Sequence, residues 1–460
     1  MLKMGMQARA MLALAACAAM SNAHADALDD AINAEIKRRN VAGVGIAVVK
    51  DGKIIREQGY GLANIEHRVP VSARTVFQSG SVGKQFTAAL VLLLAQDGKL
   101  TLDDPVAKHL ANTPDAWKAI TIRHLLTHTS GLGDPYDKLD MRKDYTDEEL
   151  IALEATIPVL FAPGEKFSYS NMGYHLLGFI CNKVGGKFYG DQLRERIFEP
   201  LGMSTRVINE ADIIPHRAAG YEFVDGNLKN QNWVAPKLNT TADGSLYLTA
   251  RDLAIWDQAL HSGKILSKQL QEAVYTPAKL NDGSHTTYGF GWFVTKHNGH
   301  KLISHGGAWQ GFLSTMNRFV DDKLTVIVLA NSTNARPGKL AEIVASHYIP
   351  ALATVPAKPI ADSNPAFTAQ LREVIADIAA DKLPKGFTDD QVAKLTPAMK
   401  YFSKGIRELG ALRSVALLSV KDEGESRQYR YRYVFEKDPM IVSARINKAG
   451  LIERFGLGLE

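Results

Sequence analysis

A largely apolar run from Phe86 to Ala95 constrains this chain more than any other feature, because the polar sequence SGSVGK at positions 79–84 precedes it directly. The run has the length and apolar content of a buried helix. Ser81 would then lie at the N-terminal end of that helix, with Lys84 one turn later on the same face. A helix N-terminus carries unpaired N–H groups and positive dipole, which favour negative charge on a nucleophilic oxygen.

Ser81 and Lys84 have the residue types of an acyl-transfer pair. A lysine amine three residues on can reach the hydroxyl and, if burial lowers its pKa, accept its proton. The same spacing also arises from a serine that caps a helix and a lysine that faces solvent. The pair alone therefore leaves both interpretations open.

Two further motifs supply what such chemistry still needs. Tyr169 offers a phenolate-like base if a nearby ammonium lowers its pKa, and Asn171 lies on the same side of an extended segment, where it can hold Lys84 or a substrate amide. The tripeptide HGG at His305 follows a strand pattern, and its glycines let a substrate backbone approach the strand edge. Singly, Tyr169 could be a buried turn residue and His305 a strand-end residue. Jointly, the motifs predict acyl transfer through a nucleophilic serine.

Positions 1–25 read as a targeting segment. Lys3 and Arg9 precede an apolar stretch, Met11–Met20, and an Ala-His-Ala site ends at Ala25. The stretch is too short to span a bilayer, so we expect an exported, periplasmic protein with no transmembrane segment.

A lipid anchor through Cys17 is the alternative, since the sequence LAAC ends there. The apolar residues before Cys17 are few for an export signal, which favours cleavage after Ala25. Cys181 then remains as the single cysteine, so no intrachain disulfide is expected, and its apolar neighbours predict a buried side chain. No cysteine or histidine cluster has the spacing of a metal site.

The charge of the chain restricts the classes of partner that we expect. The formal charge of the full chain is +5, and without Lys3 and Arg9 the 52 basic and 49 acidic residues leave +3. No basic run stands out, so nucleic acid is not an expected partner. A small molecule or peptide is the expected substrate, and the oligomeric state stays open.

The order of elements predicts an α+β fold. A helix at Leu28–Arg39, a hairpin turning at Lys50–Lys53 and a long, mainly helical stretch come first. Strands and a closing helix at Ala335–Tyr348 follow. We expect an antiparallel sheet covered by the first and last helices, with the helical insert as a second lobe and a site in the cleft between. The predicted late strands are Tyr288–Thr295, Lys301–Ser304, Gly311–Phe319 and Leu324–Ala330.

Prolines mark a linker at 350–366, which separates a hydrolase domain at 26–349 from a small α+β domain at 367–460. In the small domain, helices are predicted at Phe367–Ala380 and Asp389–Phe402 and strands follow. Alternate residues of the middle strand are aromatic, which predicts one face packed on the helices, with a ligand groove as the alternative. Those residues are Tyr429, Tyr431, Tyr433 and Phe435.

Together the three motifs resemble those of class C β-lactamase-like serine hydrolases, a group that includes β-lactamases, low-molecular-weight penicillin-binding proteins, D-aminopeptidases and esterases. The resemblance covers about Leu28 to Tyr348. It implies a β-lactamase/transpeptidase-like fold. Supporting stretches are Ile122–Leu132, Phe198–Met203, Asp243–Tyr247 and Tyr288–Trp292.

The resemblance also implies roles for individual residues. Ser81 would be the acylated nucleophile, and Lys84 and Tyr169 would share proton transfer. The backbone N–H groups of Ser81 and Ala308 would form the oxyanion hole, and no cofactor would be required. Substrate-binding residues would be Asn171, His305, Gly307 and Ala308.

One departure from the family bears on the substrate. Class C β-lactamases carry Lys-Thr-Gly where this chain has HGG from His305, and a histidine with an ordinary pKa of about 6.5 is mostly neutral at pH 7. Gly306 also offers no hydroxyl. A D-aminopeptidase-like or esterase-like activity on a peptide, amide or ester is therefore expected. The alternatives are a β-lactamase or D,D-peptidase, and a non-catalytic module that binds cell wall.

Overall fold

A computed structural model describes residues 27–207 and 211–459. The chain divides into two compact units, and the division falls between Thr354 and Val355. That point lies inside the segment 350–366 that the sequence predicts as a linker. The predicted leader, positions 1–25 with Cys17, lies outside the described residues.

The first unit combines helices and strands, numbered in chain order. Its helices are α1 (27–39), α2 (Lys84–Gln96), α3 (Val106–His109), α4 (Ile122–Leu126), α5 (Asp147–Glu154), α6 (Asn171–Gly185), α7 (Tyr189–Leu193), α8 (Glu199–Leu201), α9 (Ala250–Ser262), α10 (Lys268–Val274) and α11 (Pro337–Tyr348). Its strands are β1 (Gly43–Lys50), β2 (Lys53–Asn64), β3 (Val69–Pro70), β4 (Phe77–Gln78), β5 (Tyr221–Val224), β6 (Asn227–Asn230), β7 (Tyr247–Leu248), β8 (Phe293–His297), β9 (His300–Trp309), β10 (Phe312–Phe319) and β11 (Leu324–Ala330). Short 3₁₀ turns lie at Gly80–Gly83, Asp115–Trp117, Pro236–Thr240 and Pro350–Leu352, and a π-helical turn lies at Arg194–Phe198.

Seven of these strands form one antiparallel sheet in the order β3-β2-β1-β11-β10-β9-β8. β1 and β2 form the predicted hairpin, and Asp51 and Gly52 in its turn have φ values of 49° and 76°. Two successive positive φ values give the tight turn whose twist matches that of the flanking strands. β11 pairs with β1, so the last strand of the unit lies beside its first strand.

The two faces of the sheet pack against different helices. On β1, Val44, Ile46 and Val48 belong to one buried cluster with residues of α1 and α11. Ala47 and Val49 belong to a larger cluster with the helical part of the unit. The alternation follows from the pleat, which points successive side chains to opposite faces. The predicted fold class, an antiparallel sheet flanked by helices with a mainly helical second lobe, is confirmed.

α2 is the buried helix predicted from the apolar run. Every side chain from Lys84 to Leu94 is buried, and Phe86 contacts the rings of Phe198 and Trp256. A helix that is apolar all round must be enclosed by other elements, and α6 packs along it. The turn that carries Ser81 is therefore held by the core of the unit.

α6 is a second buried helix of this lobe. Its residues from Met172 to Cys181 are buried, and Cys181 is a free thiol, as the sequence predicts for a cysteine with apolar neighbours. The helix begins after Ser170, whose hydroxyl accepts a hydrogen bond from the Gly173 N–H, and ends at Gly186 with φ 73°. Both ends thus have the capping residues that a helix of this length requires.

Two predicted elements differ in the structure. The strand predicted at Tyr288–Thr295 begins only at Phe293, because Gly291 has φ 77° and Gly289 lies so close to Val274 O that a Cβ there would be 2.1 Å away. The helix predicted at Asp389–Phe402 is divided by a 3₁₀ turn at Thr396–Ala398. Pro397 lies in that turn, and proline has no N–H to continue a helical ladder.

The second unit places helices against a four-stranded antiparallel sheet whose strands pair in chain order. Tyr429 contacts the ring of Phe367, and the Tyr431 hydroxyl accepts a hydrogen bond from Thr368. The predicted aromatic face of the middle strand is thus packed on a helix, and its four aromatic side chains are buried. The elements are α12 (Pro365–Ala379), α13 (Asp389–Leu395), α14 (Met399–Glu408), β12 (Leu412–Glu423), β13 (Ser426–Phe435), β14 (Pro439–Ile446) and β15 (Ile452–Leu459).

None of the helices within residues 27–207 and 211–459 has the length and apolar character needed to cross a bilayer. Over the same residues, no group of three or more His, Cys, Asp or Glu side chains could hold a metal ion.

A chain ended at Thr354 is expected to keep the fold and stability of the first unit, because each unit has its own buried core. All five tryptophans lie at or before Trp309, so tryptophan fluorescence follows the first unit in both chains. Urea unfolding should give matching fluorescence midpoints for the full and shortened chains. A much lower midpoint for the shortened chain would show that the second unit completes the first.

Candidate active site

Ser81 lies in the 3₁₀ turn Gly80–Gly83, directly before α2, where the sequence predicts it. Strand β9 lies so close to this turn that the facing positions, Gly80 and Gly307, have no room for a Cβ. A Cβ on Gly80, which has φ 51°, would lie 2.5 Å from Ala308 N, and one on Gly307 would lie 2.2 Å from Ser79 O and 3.0 Å from Ser81 N. The backbone at Ala308 is therefore packed beside that of Ser81, as two N–H donors to one oxyanion would have to be.

β9 also offers a free edge toward Ser81. β8 pairs with β9 only as far as Ser304, opposite Phe293, so the next five residues pair with β10 alone. His305, Gly307 and Ala308 lie on this unpaired stretch, as the HGG motif predicts. An open strand edge can accept an extended substrate backbone through main-chain hydrogen bonds.

Lys84 is fully buried, and its ammonium is held by three acceptors. Nζ donates to Ser81 Oγ at 3.1 Å, to Asn171 Oδ1 at 2.8 Å and to the Asp243 carbonyl oxygen at 2.5 Å. The structure thus brings together Ser81, Lys84 and Asn171, which the sequence assigned to one site. An ammonium has three donors, and all three are used.

Tyr169 completes the predicted group. Lys84 Nζ lies 5.0 Å from the centroid of its ring, and its hydroxyl is buried without a hydrogen-bond partner among the described residues. A buried hydroxyl without a partner is costly, which suits a group that exchanges a proton with a substrate. Ser170, next in the chain, is the extended cap of α6, so Tyr169 and Asn171 stand on either side of a helix start.

His128 supports Tyr169, a relation the sequence did not reveal. The two rings lie 4.1 Å apart, and His128 Nδ1 accepts a hydrogen bond from the Ser170 N–H at 3.1 Å. Burial, followed by the charge of Lys84, lowers the pKa of His128 well below its usual value, so the ring is neutral. His128 has φ 56°, a rare value that places the ring under Tyr169.

His305 lies at the site, but its side chain is buried. Its Nε2 lies 2.8 Å from the Tyr288 hydroxyl, and its Nδ1 lies 2.6 Å from the Gly306 carbonyl oxygen. Burial and then the charge of Lys84 lower the pKa of His305 to about 3. The ordinary pKa assumed from the sequence is therefore wrong, and this ring supplies no positive charge at any physiological pH.

Asn171 connects the buried lysine to an exposed carboxylate. Its Nδ2 donates to Asp134 Oδ2 at 2.8 Å, and its Oδ1 accepts from Lys84. Asp134 Oδ1 accepts a hydrogen bond from the Tyr136 backbone N–H. The sequence gave no reason to single out Asp134, which lies in a polar loop without a recognisable motif.

A buried ionic network lies behind Lys84, and sequence reasoning missed it. His175 Nδ1 lies 2.6 Å from Glu154 Oε1, its Nε2 lies 3.3 Å from Asp243 Oδ1, and the Tyr136 hydroxyl donates to Asp243 Oδ2. Burial alone would lower the pKa of His175, but Asp243 and Glu154 outweigh it and raise that pKa to about 10. His175 in turn holds the pKa of Asp243 well below its usual range, against the effect of burial.

Residues 28–348 match the family model described as Beta-lactamase. The chain is 32% identical over 324 residues to penicillin-binding protein 4* of Bacillus subtilis (strain 168), which covers 66% of this chain and 71% of that protein. It is 28% identical over 337 residues to a D-aminopeptidase of Gluconobacter oxydans (strain 621H), which covers 71% of this chain and 63% of that protein. The chain thus spans less than two thirds of that D-aminopeptidase.

Solved structures of similar proteins also superpose on this chain. An octameric penicillin-binding protein homologue from Pyrococcus abyssi superposes with a TM-score of 0.66 at 26% identity, over 95% of this chain and 100% of that one. A D-amino acid amidase from Ochrobactrum anthropi SV3, complexed with L-phenylalanine amide, gives a TM-score of 0.60 at 29% identity, over 71% of this chain and 98% of that one.

Replacing Gly307 with alanine should slow labelling of Ser81 by a fluorophosphonate probe by about 100-fold, because the new Cβ would push β9 away from the nucleophile turn. Gly306→Ala is the matched control, since a Cβ there meets nothing closer than Ser314 O at 3.7 Å. Labelling rates of both variants are read by mass spectrometry. Equal rates in the two variants would contradict the close approach of β9 to Ser81.

His175 should stabilise the fold most at low pH. Because its pKa is raised from about 6.5 to about 10, its contribution is complete below pH 6.5 and is lost as pH rises toward 10. His175→Gln, neutral at every pH, should therefore lower the free energy of unfolding by on the order of 3 kcal/mol at pH 6 and by much less at pH 10. Urea unfolding followed by tryptophan fluorescence measures this; a difference that does not vary with pH would mean that His175 is uncharged.

Proposed function

We propose, because the chain belongs to the beta-lactamase family of serine hydrolases, that it is an exported enzyme cleaving a peptide, amide or ester through an acyl-enzyme on Ser81. The observation that carries the proposal is the buried Lys84 ammonium, which lies 3.1 Å from Ser81 Oγ. A site for binding alone would gain nothing from a nucleophile with a buried lysine beside it. Membership of the beta-lactamase family is a second argument against a non-catalytic module.

In the proposed acylation, Ser81 Oγ attacks the substrate carbonyl carbon and its proton passes to the oxygen of Tyr169, which enters this step as a phenolate beside the Lys84 ammonium. The bond from Oγ to carbon forms, and the N–H groups of Ser81 and Ala308 stabilise the oxyanion. The bond to the leaving amine or alcohol then breaks, and Tyr169 returns the proton to that group. Water attacks the ester in the second half and regenerates Ser81.

The proposed substrates resemble those of D-aminopeptidases and esterases. The similarity to the D-aminopeptidase and to the D-amino acid amidase supports an amide substrate. The neutral His305 supports a substrate that needs no cation at this position, since its pKa is lowered to about 3. Asn171 and the free edge at Gly307 and Ala308 would hold the acyl donor.

A penicillin-binding or β-lactamase activity is the second candidate. The similarity to penicillin-binding protein 4* favours it. Recognition of a substrate carboxylate would normally use a cation, and neither His305 nor Gly306 provides one. D-aminopeptidase-like or esterase-like hydrolysis therefore remains the preferred proposal.

Export is proposed from the sequence of positions 1–25, with cleavage after Ala25 and a periplasmic location. A lipid anchor through Cys17 is the alternative form of the same proposal. The two forms differ in the mass of the mature chain, which begins at Asp26 in one case and at an acylated Cys17 in the other.

Intact-mass analysis of the protein purified from its native compartment tests both the proposed export and the proposed acyl-enzyme on Ser81. The mature mass should correspond to a chain that begins at Asp26, and a fluorophosphonate probe should add one adduct. Ser81→Ala should abolish the adduct, because it removes the hydroxyl oxygen that the probe would label. An adduct retained in the variant would place the nucleophile elsewhere, and an unprocessed N-terminus would contradict export.

A further inference from the structure

We propose that a cavity in the second unit binds a small amphipathic carboxylate. The carboxylate would lie between Arg445 and Arg454, and the apolar body of the ligand would cover Phe402 and Phe455. The site lies in a different unit from Ser81, and the inference does not depend on the proposed function.

The cavity lies between the helices α13 and α14 and the strands β14 and β15. Its volume is about 570 Å³, and pockets of roughly 300 to 1,000 Å³ commonly hold small organic ligands. Asp390 and Lys394 also line it, and their side chains are exposed, so the cavity opens to solvent. The sequence left open a ligand groove on the aromatic face of β13, but none of the four aromatic side chains of that face lines this cavity.

The apolar part of the lining comes from three elements. Phe402 of α14 and Phe455 of β15 pack against the core of the unit, yet both remain only half-buried. Leu395 of α13 is a third apolar lining residue. A ligand with an alkyl or aryl body would remove the open surface of these rings from water, which is favourable.

Two arginines lie directly opposite each other in the wall of the cavity. Arg445 of β14 and Arg454 of β15 are partners in the antiparallel register. Like charges at directly opposite positions destabilise a strand pair. An anion between the two guanidinium groups would replace this repulsion by two attractions.

Acidic side chains neutralise only one of the two arginines. Arg445 Nε lies 2.8 Å from Glu453 Oε1, and its Nη1 lies 3.2 Å from Glu423 Oε2. Arg454 is exposed, and within the part of the chain that the structure describes its side chain forms no ion pair or hydrogen bond. Arg454 is therefore the cation that is available to a ligand.

The balance of charge around the cavity favours a ligand with one negative charge. Three basic and two acidic side chains line it, which leaves a net charge of +1: Asp390, Lys394, Arg445, Glu453 and Arg454. Lys394 is already paired with Asp390 at 2.6 Å. The planar fork of a guanidinium matches the two oxygens of a carboxylate, so a monoanionic carboxylate fits both the charge and the geometry.

The competing explanation is that Arg454 is an ordinary solvated surface charge. Three probes separate the two by isothermal titration calorimetry on the full chain: octanoate, octanamide, which keeps the chain without the charge, and acetate, which keeps the charge without the chain. Octanoate should bind at one site with a Kd on the order of 0.1 mM. Octanamide and acetate should each bind at least about tenfold more weakly, because each lacks one half of the proposed contacts.

Two variants locate the site. Arg454→Met keeps an unbranched side chain without the charge, and it should weaken octanoate binding about tenfold or more. Its thermal midpoint by circular dichroism should be no lower than that of the wild type, because the opposition to Arg445 is removed. Arg430→Met is the matched control, since Arg430 is an exposed arginine of the neighbouring strand β13 that does not line the cavity. Its affinity for octanoate should equal that of the wild type.

Four results would overturn the proposal. Absence of octanoate binding in the wild type would remove the ligand site, and equal affinity for octanamide would leave an apolar cleft without an anion site. Equal losses in Arg454→Met and Arg430→Met would assign the binding to the general charge of the sheet. Tighter binding of octyl phosphate than of octanoate would contradict a carboxylate as the head group.

Discussion

The buried ammonium of Lys84 is the interaction on which the site depends. A charge removed from water is strongly destabilising unless all of its donors find acceptors. The three acceptors come from separate parts of the chain: Ser81 from the turn before α2, Asn171 from the start of α6, and Asp243 from the loop before β7. These segments also adjoin α2: the turn precedes it, α6 packs along it, and Thr87 of α2 donates to the Ala242 carbonyl oxygen. The core of the lobe and the arrangement of the site therefore share the same packed segments.

Side chains of alternating charge extend from Lys84 into the interior of the lobe. Asp243 accepts from Lys84 through its carbonyl oxygen, while its side chain contacts His175, which contacts Glu154 in turn. Each group lowers the cost of burying the next, because opposite charges in a poorly solvated region attract strongly. The network also fixes the Asp243 backbone through its side chain, so that the carbonyl oxygen that faces Lys84 cannot turn away.

The sequence predicted what depends on local pattern. The buried α2, the hairpin at Asp51 and Gly52, and the meeting of Ser81 with Lys84 follow from apolar runs, turn residues and helical spacing. Tyr169 and Asn171 were found because they share a short motif. His175, Glu154 and Asp134 could not be found this way, since each is a single polar residue whose partners lie far along the chain. The state of His305 depends on burial by Tyr288 and its neighbours, which no spacing encodes.

The burial of α6 determines the reactivity of the Cys181 thiol. Its side chain is fully enclosed, and burial raises the pKa of its thiol to about 12. Oxidation and disulfide exchange proceed through the thiolate and require access to an oxidant, and both are withheld at neutral pH. The folded chain can therefore occupy an oxidising compartment without cross-linking to a second copy through this sulfur. Only a chain that has not yet packed α6 would expose it.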